Sequence, residues 1–169
     1  PPSAVPPHGY DPRAGRTRDA RPGTNEDLRE VCAALHAAGI RVLFDGVFNH
    51  VGREFPPFRD LREKRWESRY RDWFYPHFDG DTPYHDGFHY DCWEGHYELP
   101  RLNLRNPEVE QYLFECVRFW HDTFGVDGLR LDVAYSLDRE FLAHLKAFTR
   151  TLSPDFPLIG EVLFGDYGL

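Results

Sequence analysis

Gly125-Val126-Asp127-Gly128-Leu129-Arg130-Leu131-Asp132-Val133 is the stretch on which the reading of the fold turns. A glycine closes the segment before it, and a short aliphatic run then ends on a carboxylate. Upstream, Asn106 caps and Pro107 starts a helix whose Val109, Leu113, Val117 and Trp120 recur at helical spacing, with Gly125 as its left-handed stop. Downstream, Phe141, Leu142, Leu145, Phe148 and Leu152 mark another helix, and Pro157-Leu158-Ile159-Gly160-Glu161 another strand. The same unit stands earlier in the chain. Thr24 and Asp27 form a capping-box start, Leu28, Val31, Leu35 and Ala38 make a stripe, and Gly39 ends that helix. Ile40-Arg41-Val42-Leu43-Phe44 then runs as a strand into Asp45-Gly46. Such alternation requires parallel strands joined by right-handed crossovers. The fold class is α/β.

One connection breaks the rhythm. About 55 residues, 51–105, separate the first strand from the second helix, against roughly 2–6 for an ordinary connection of this kind. The chain therefore divides into 1–50 with 106–169 as one body and 51–105 as an inserted subdomain. The insertion is rich in aromatic residues, and Arg59 to Arg71 reads as a charged helical stretch with a solvated face. Residues 1–23, rich in Pro, Gly and Arg, read as loop. The chain has 169 residues and a net charge of −8, which argues against a nucleic-acid-binding surface. No apolar run reaches the roughly 18 residues that would span a bilayer. Cys32, Cys92 and Cys116 are an odd, scattered set rather than a disulfide framework, and Cys32 and Cys116 fall on apolar helix stripes. Met is absent throughout and the chain opens on Pro-Pro-Ser, so a piece of a larger protein is expected.

Each strand finishes on an acid: Asp45, Asp132 and Glu161. Groups at the C-terminal edge of parallel strands face the functional crevice. With a period of 2, Leu129, Leu131 and Val133 share the face suited to helices, while Gly128, Arg130 and Asp132 share the other. Arg130 then lies within pairing reach of Asp132 and is expected to hold it ionised. If the last two strands are neighbours, Asp132 and Glu161 stand roughly 5–5.5 Å apart, the separation at which one carboxylate attacks an anomeric carbon and the other protonates the departing oxygen. Ile159 and Val162 flank Glu161 and its own strand holds no cation, so a raised pKa is expected there. Any one such acid is commonly a cap or a loop-ordering group, Asp45 foremost.

Taken together these residues resemble the α-amylase superfamily, glycoside hydrolase family 13. Asp45-Gly46-Val47-Phe48-Asn49-His50 matches its D-x-x-x-N-H motif, Gly128-Leu129-Arg130-Leu131-Asp132 its G-x-R-x-D motif, and Gly160-Glu161 the third. Leu99-Pro100-Arg101-Leu102-Asn103 resembles a further motif in the form typical of neopullulanase and cyclomaltodextrinase relatives, and His8-Gly9-Tyr10 a segment after the second barrel strand. The resemblance implies a partial (β/α)8 TIM barrel of about three central units, with the insertion as domain B. It implies Asp132 as nucleophile, Glu161 as general acid/base and Arg130 as partner of the nucleophile. His50, His8 and Tyr10 would line the sugar ring, Asp45 would support the site, and Asn49 would order its loop or bind calcium. No cofactor is required by this chemistry. The family's fourth motif, which carries a third Asp, is not met before Leu169, and Tyr135-Ser136 stand where many α-amylases have Lys-His. The 169 residues alone are expected neither to fold stably nor to turn over glucan.

The expected protein is a cytoplasmic, retaining hydrolase of α-1,4 or α-1,6 bonds in maltodextrin-type oligosaccharides, with neither nucleic acid nor membrane as a partner. Three alternatives stand beside it. An α-glucan transglycosylase shares the covalent intermediate, whereas a non-catalytic amylase-like scaffold or carbohydrate-binding protein would not need both acids. A zinc site is the rival within the insertion, where His85, His89, Cys92 and His96 are spaced like ligands with Asp86 and Asp91 among them. Pro83, Gly87 and Gly95 count against a continuous helix that would present them.

Overall fold

A computed structural model describes residues 24–162. In chain order, α1 (Asn25–Ala37) leads to β1 (Leu43–Gly46), and α2 (Pro56–Lys64), β2 (Pro76–His77), β3 (His89–Tyr90), β4 (Cys92–Trp93) and β5 (His96–Pro100) follow. Then come α3 (Pro107–Phe124), β6 (Gly128–Leu131), α4 (Arg139–Leu152) and β7 (Leu158–Gly160). Strands β1, β6 and β7 form one parallel sheet in that order. Phe44 lies opposite Leu129, Asp45 opposite Arg130, and Leu131 opposite Gly160. The α/β reading holds, and the two strands carrying Asp132 and Glu161 are direct neighbours.

Local signals set the helix ends. The Thr24 side chain accepts from the Asp27 N–H at 3.2 Å while Asp27 accepts from the Thr24 N–H at 2.6 Å, so two backbone donors at the start of α1 are satisfied reciprocally. Asn106 accepts from Glu108 N–H at the start of α3, and Gly125 closes that helix at φ 69°. Asp138 caps α4. Asp127 ties the two strand entries together by accepting from Val42 N–H at 2.6 Å and from His36 Nε2 at 2.9 Å.

Leu129 and Leu131 bury one face of the sheet, joined by Val109, Leu113 and Val117 of α3 and Phe141 and Leu145 of α4 in a single apolar cluster. Each such side chain is worth about 1.5–3 kcal/mol when fully removed from water. On the other face Leu43 and Ile159 remain exposed beside Arg130. Three details depart from the sequence reading. The first strand begins at Leu43, which leaves Ile40 exposed ahead of it. Val31 of the expected α1 stripe is exposed too, because α1 turns Cys32 inward against Phe124 and Val126 instead. The charged helix starts earlier, at Pro56, and turns Phe58 and Leu61 inward.

Residues 51–105 hold α2, two short 3-10 turns and two small antiparallel pairs, β2–β3 and β4–β5. Phe55, Phe58, Phe74, Phe88 and Tyr90 belong to the same apolar cluster as Leu129 and Leu145, so this segment is packed continuously onto the sheet-and-helix part. Within it Arg53 makes a two-pronged pair with Asp86 at 2.8 and 2.7 Å. Thr82 also donates to Asp86, and Tyr90 contacts Arg53.

Candidate active site

The site begins with the glycines of the strand motifs. A Cβ at Gly128 would lie 2.5 Å from Pro157 Cγ and 2.8 Å from Pro157 O, so only glycine lets β6 and the entry to β7 approach this closely. A Cβ at Gly160 would meet the Ala134 Cβ at 2.9 Å. The first contact sets the spacing of the two strands at their entries, and the second seats the turn after Asp132 against the end that leads to Glu161. The ladder then runs past the strands: Glu161 N–H donates to Leu131 O at 2.9 Å and Asp132 N–H to Gly46 O at 3.2 Å.

Arg130 sits at the centre of the three acids. Its Nη1 donates to Asp45 Oδ1 at 2.6 Å and to Asp132 Oδ1 at 2.9 Å, and its Nη2 lies 2.9 Å from Glu161 Oε2. One guanidinium thus bridges the ends of three adjacent strands. That bridge keeps the Asp132 and Glu161 oxygens closer than the roughly 9.5 Å that bounds either stereochemical course of glycoside hydrolysis. Side-chain exposure is 38% for Arg130, 27% for Asp45, and 21% for Asp132 and for Glu161, so the group opens to solvent.

Two features of the charge balance come from the tertiary structure. Burial pushes the Asp132 carboxyl above the usual carboxylate range, opposed by Arg130 and reinforced by the negative charges of Asp45 and Glu161. Arg130, expected to hold Asp132 ionised, does favour the charged form, but burial is the larger influence. Glu161, whose own strand holds no cation, faces Arg130 directly. The cation comes from the neighbouring strand, which a reading along one strand does not reach.

Val133, directly after Asp132, adopts the left-handed conformation at φ 40°. For a β-branched residue this is a strained backbone. Its consequence is a hydrogen bond from the Val133 N–H to Glu161 Oε2 at 3.0 Å. No pattern of residue types announces that donor.

His50 is held from three sides. Residues 49–51 run antiparallel to the end of β5: His50 bridges Arg101, Val51 N–H donates to Pro100 O at 3.0 Å, and Leu102 N–H donates to Asn49 O at 3.0 Å. The Leu99–Asn103 motif thus serves as a backing strip for the histidine loop. Asn49 Nδ2 lies 3.3 Å from His50 Nδ1, and the ring packs 5.8 Å from Trp93. Burial pushes the His50 pKa down to about 4, so the ring is neutral near pH 7. With Nδ1 accepting from Asn49, the Nε2–H is the donor. His8 and Tyr10 lie outside the described residues.

Elsewhere, the three spaced histidines and the cysteine of the insertion do not converge. Among the described residues no group of three His, Cys, Asp or Glu side chains could hold a metal ion. His85 faces Asp81, His96 stacks on Trp93, and His89 stacks on Tyr97. The β4–β5 hairpin instead brings residues to the site that the sequence reading missed. Its two-residue tip, Glu94-Gly95, reaches Tyr135 in the turn after Asp132, whose hydroxyl donates to Glu94 Oε1 at 3.4 Å.

The model of the alpha amylase catalytic domain matches residues 2–159. The maltogenic alpha-amylase of Bacillus acidopullulyticus is 36% identical over 159 residues, covering 92% of this chain and 26% of that protein. The intracellular maltogenic amylase of Bacillus subtilis is 36% identical over 155 residues, with 92% and 26% covered. The chain spans about a quarter of the length of these curated relatives. Among solved structures, the ligand-free cyclic alpha-maltosyl-(1→6)-maltose hydrolase from Arthrobacter globiformis superposes with a TM-score of 0.86 at 33% identity, over 93% of this chain and 35% of that one. The three parallel strands are therefore part of a (β/α)8 barrel, and the chain belongs to the alpha-amylase family, within its catalytic domain.

Proposed function

We propose that the protein carrying this chain is a retaining glycoside hydrolase of α-1,4 or α-1,6 glucosidic bonds in maltodextrin-type oligosaccharides. The observation that carries the reading is the Arg130 guanidinium shared by Asp45, Asp132 and Glu161 at one sheet edge. In the first step an Asp132 oxygen bonds to the anomeric carbon, the glycosidic C–O bond breaks, and the departing oxygen takes the proton of the Glu161 carboxyl. In the second, Glu161 as carboxylate accepts a proton from water while the water oxygen bonds to that carbon and frees Asp132. The first step moves one negative charge from Asp132 to Glu161. Arg130 touches both through its two terminal nitrogens, so one cation offsets the charge before and after transfer.

Asp45 anchors the guanidinium from the first strand. Neutral His50 offers its Nε2–H to a sugar hydroxyl, with Asn49 ordering the ring, and by family resemblance His8 and Tyr10 complete the ring's surroundings. Nucleophile and acid are both side chains, so we assign no cofactor to the reaction. A cytoplasmic location is supported by the intracellular relative in Bacillus subtilis. No helix among the described residues is long and apolar enough to cross a membrane.

The test uses the full-length protein on maltotetraose, with the first product analysed by proton NMR. Release of the α-anomer, lost on Asp132→Asn by a factor on the order of 10⁴ or more, is the expected result. A β-anomer, or full activity in the variant, overturns the assignment.

A further inference from the structure

Asn103, at the end of the strip that backs the histidine loop, gathers its bonds from one place. Its Nδ2 donates to Asp72 O at 2.9 Å, and its Oδ1 accepts from the Tyr75 hydroxyl at 2.9 Å and from Arg105 N–H at 3.2 Å. Three of the four bonds open to an amide side chain are thus made within the protein. The Asn103 N–H donates in addition to Trp73 O at 2.8 Å. All of these partners except Arg105 belong to one stretch of the insertion, residues 72–75.

That stretch has other anchors. Asn106 Nδ2 also donates to Asp72 O, at 3.0 Å, and the Trp73 indole N–H donates to Glu108 Oε2 at 3.0 Å, so the start of α3 holds residues 72–75 without Asn103. What Asn103 adds is the tie between them and the strip Leu99–Asn103. Successive N–H groups of that strip face opposite ways, as an extended chain demands. Arg101 N–H donates to Asp91 O at 2.9 Å and Asn103 N–H to Trp73 O, both in the insertion, whereas Leu102 N–H between them donates to Asn49 O at 3.0 Å. The strip therefore has the insertion along one edge and the His50 loop along the other. Past Pro100, where β5 ends, single bonds replace a regular ladder, and a side-chain clamp then fixes where the strip lies.

The line from this clamp to the site is short. Leu102 holds Asn49 O, the Asn49 side chain lies 3.3 Å from His50 Nδ1, and His50 bridges Arg101. We propose that Asn103, its amide closed by Tyr75, is a positioning residue for His50: it locks the strip to the insertion and thereby sets where the His50 Nε2–H points. Asn103 itself touches no sugar in this scheme. The inference rests on the hydrolase reading and on His50 as a sugar contact within it. Since Asn106 and Glu108 keep residues 72–75 on α3, loss of Asn103 falls on activity more than on folding. Since His50 adjoins the sugar that Asp132 attacks, that loss does not depend on the leaving group.

The experiment is a double-mutant cycle in the full-length protein, Asn103→Ala against His50→Gln, with kcat/KM measured on maltotetraose and on p-nitrophenyl α-maltoside. Asn103→Ala alone is expected to lower kcat/KM about ten-fold on both substrates, and Tyr75→Phe about three-fold, the range of one hydrogen bond. In the His50→Gln background each costs less than about two-fold, because the group it positions is gone. A merely structural role leaves the losses multiplying in full, and that result, or full activity in Asn103→Ala, overturns the proposal. If Asn103→Ala melts well below the unmodified protein, Tyr75→Phe, which removes a single hydroxyl, decides through the same cycle. A His50→Gln variant as active as the unmodified protein refutes the positioning role and leaves the hydrolase reading standing. An unmodified protein inert towards both substrates refutes the hydrolase reading itself, and the positioning role with it.

Discussion

Arg53 and Arg130 both hold carboxylates, and they differ in everything but residue type. Arg53 meets Asp86 one to one, with side-chain exposures of 13% and 5%. Thr82 and Tyr90 contact the same pair. Arg130 divides its donors among three acids, all of them more exposed. In the first arrangement charge is balanced and the bonding capacity filled, which makes a stable pin for the insertion. In the second, three carboxylates face one cation, so negative charge is left over at a water-accessible edge. In the function proposed above, reactivity comes from stoichiometry and access rather than from the presence of an ion pair.

The comparison breaks most visibly at Glu161. Glu161→Gln should lower kcat on maltotetraose about 10²–10⁴-fold, the usual contribution of general acid–base catalysis. The loss should shrink on an aryl glycoside whose leaving group needs no proton, and steady-state kinetics on the two substrates check it. Arg53→Met, in contrast, should leave activity per folded molecule intact while lowering stability by about 3–5 kcal/mol, because it strands a buried carboxylate. Denaturant midpoints measure that shift.

Titration separates the regions by sign. Burial raises Asp86, but the bonds from Arg53 and Thr82 outweigh it and hold the carboxyl below its usual range. Its contribution to stability is therefore present above the ordinary carboxylate pKa and disappears as pH falls through the lower, folded value. Asp132 is raised, so its ionised form costs stability near neutrality, and that cost is relieved as pH falls through the raised value. Asp132→Asn should consequently raise the melting temperature at pH 7 and Asp86→Asn lower it, with both differences shrinking in acid. His50, with a folded pKa of about 4, stabilises fully above the unfolded value near 6.5. That contribution, about 3 kcal/mol for a shift of this size, is lost progressively between those two pH values. A His50→Gln variant should flatten the melting temperature over the same window.

The smallest expected effect is at the hairpin tip. Glu94→Asn installs the favoured Asn-Gly pair and should stabilise by about 1 kcal/mol, read from chemical denaturation. A gain there would show that the glutamate is kept at a cost to folding.

Much of the scaffold was legible because its signals are local. Thr24 with Asp27, Asn106 with Pro107, and Gly125 announce helix ends through backbone groups within a turn of themselves. Aliphatic runs marked all three parallel strands, and the acid at each strand end followed from them. Legibility fell where a partner was distant in the chain. Val31 fitted the helical period yet faces solvent, since the inward side of α1 is chosen by α3. The histidines and cysteine at 85, 89, 92 and 96 had ligand-like spacing, but hairpin geometry sends them to different neighbours.

By itself, then, the order of residues determined the alternation of helices and strands, the acid at each strand end, and the placement of Arg130 two residues before Asp132. These depend on backbone propensity and on periods of a few residues. Only the tertiary structure decided that Arg130 is shared with Glu161, that burial outweighs that cation at Asp132, that Val133 turns left-handed, and that Glu94 meets Tyr135. Those outcomes depend on sheet register, desolvation and contacts between segments far apart in the chain, quantities that exist only once the chain has closed on itself.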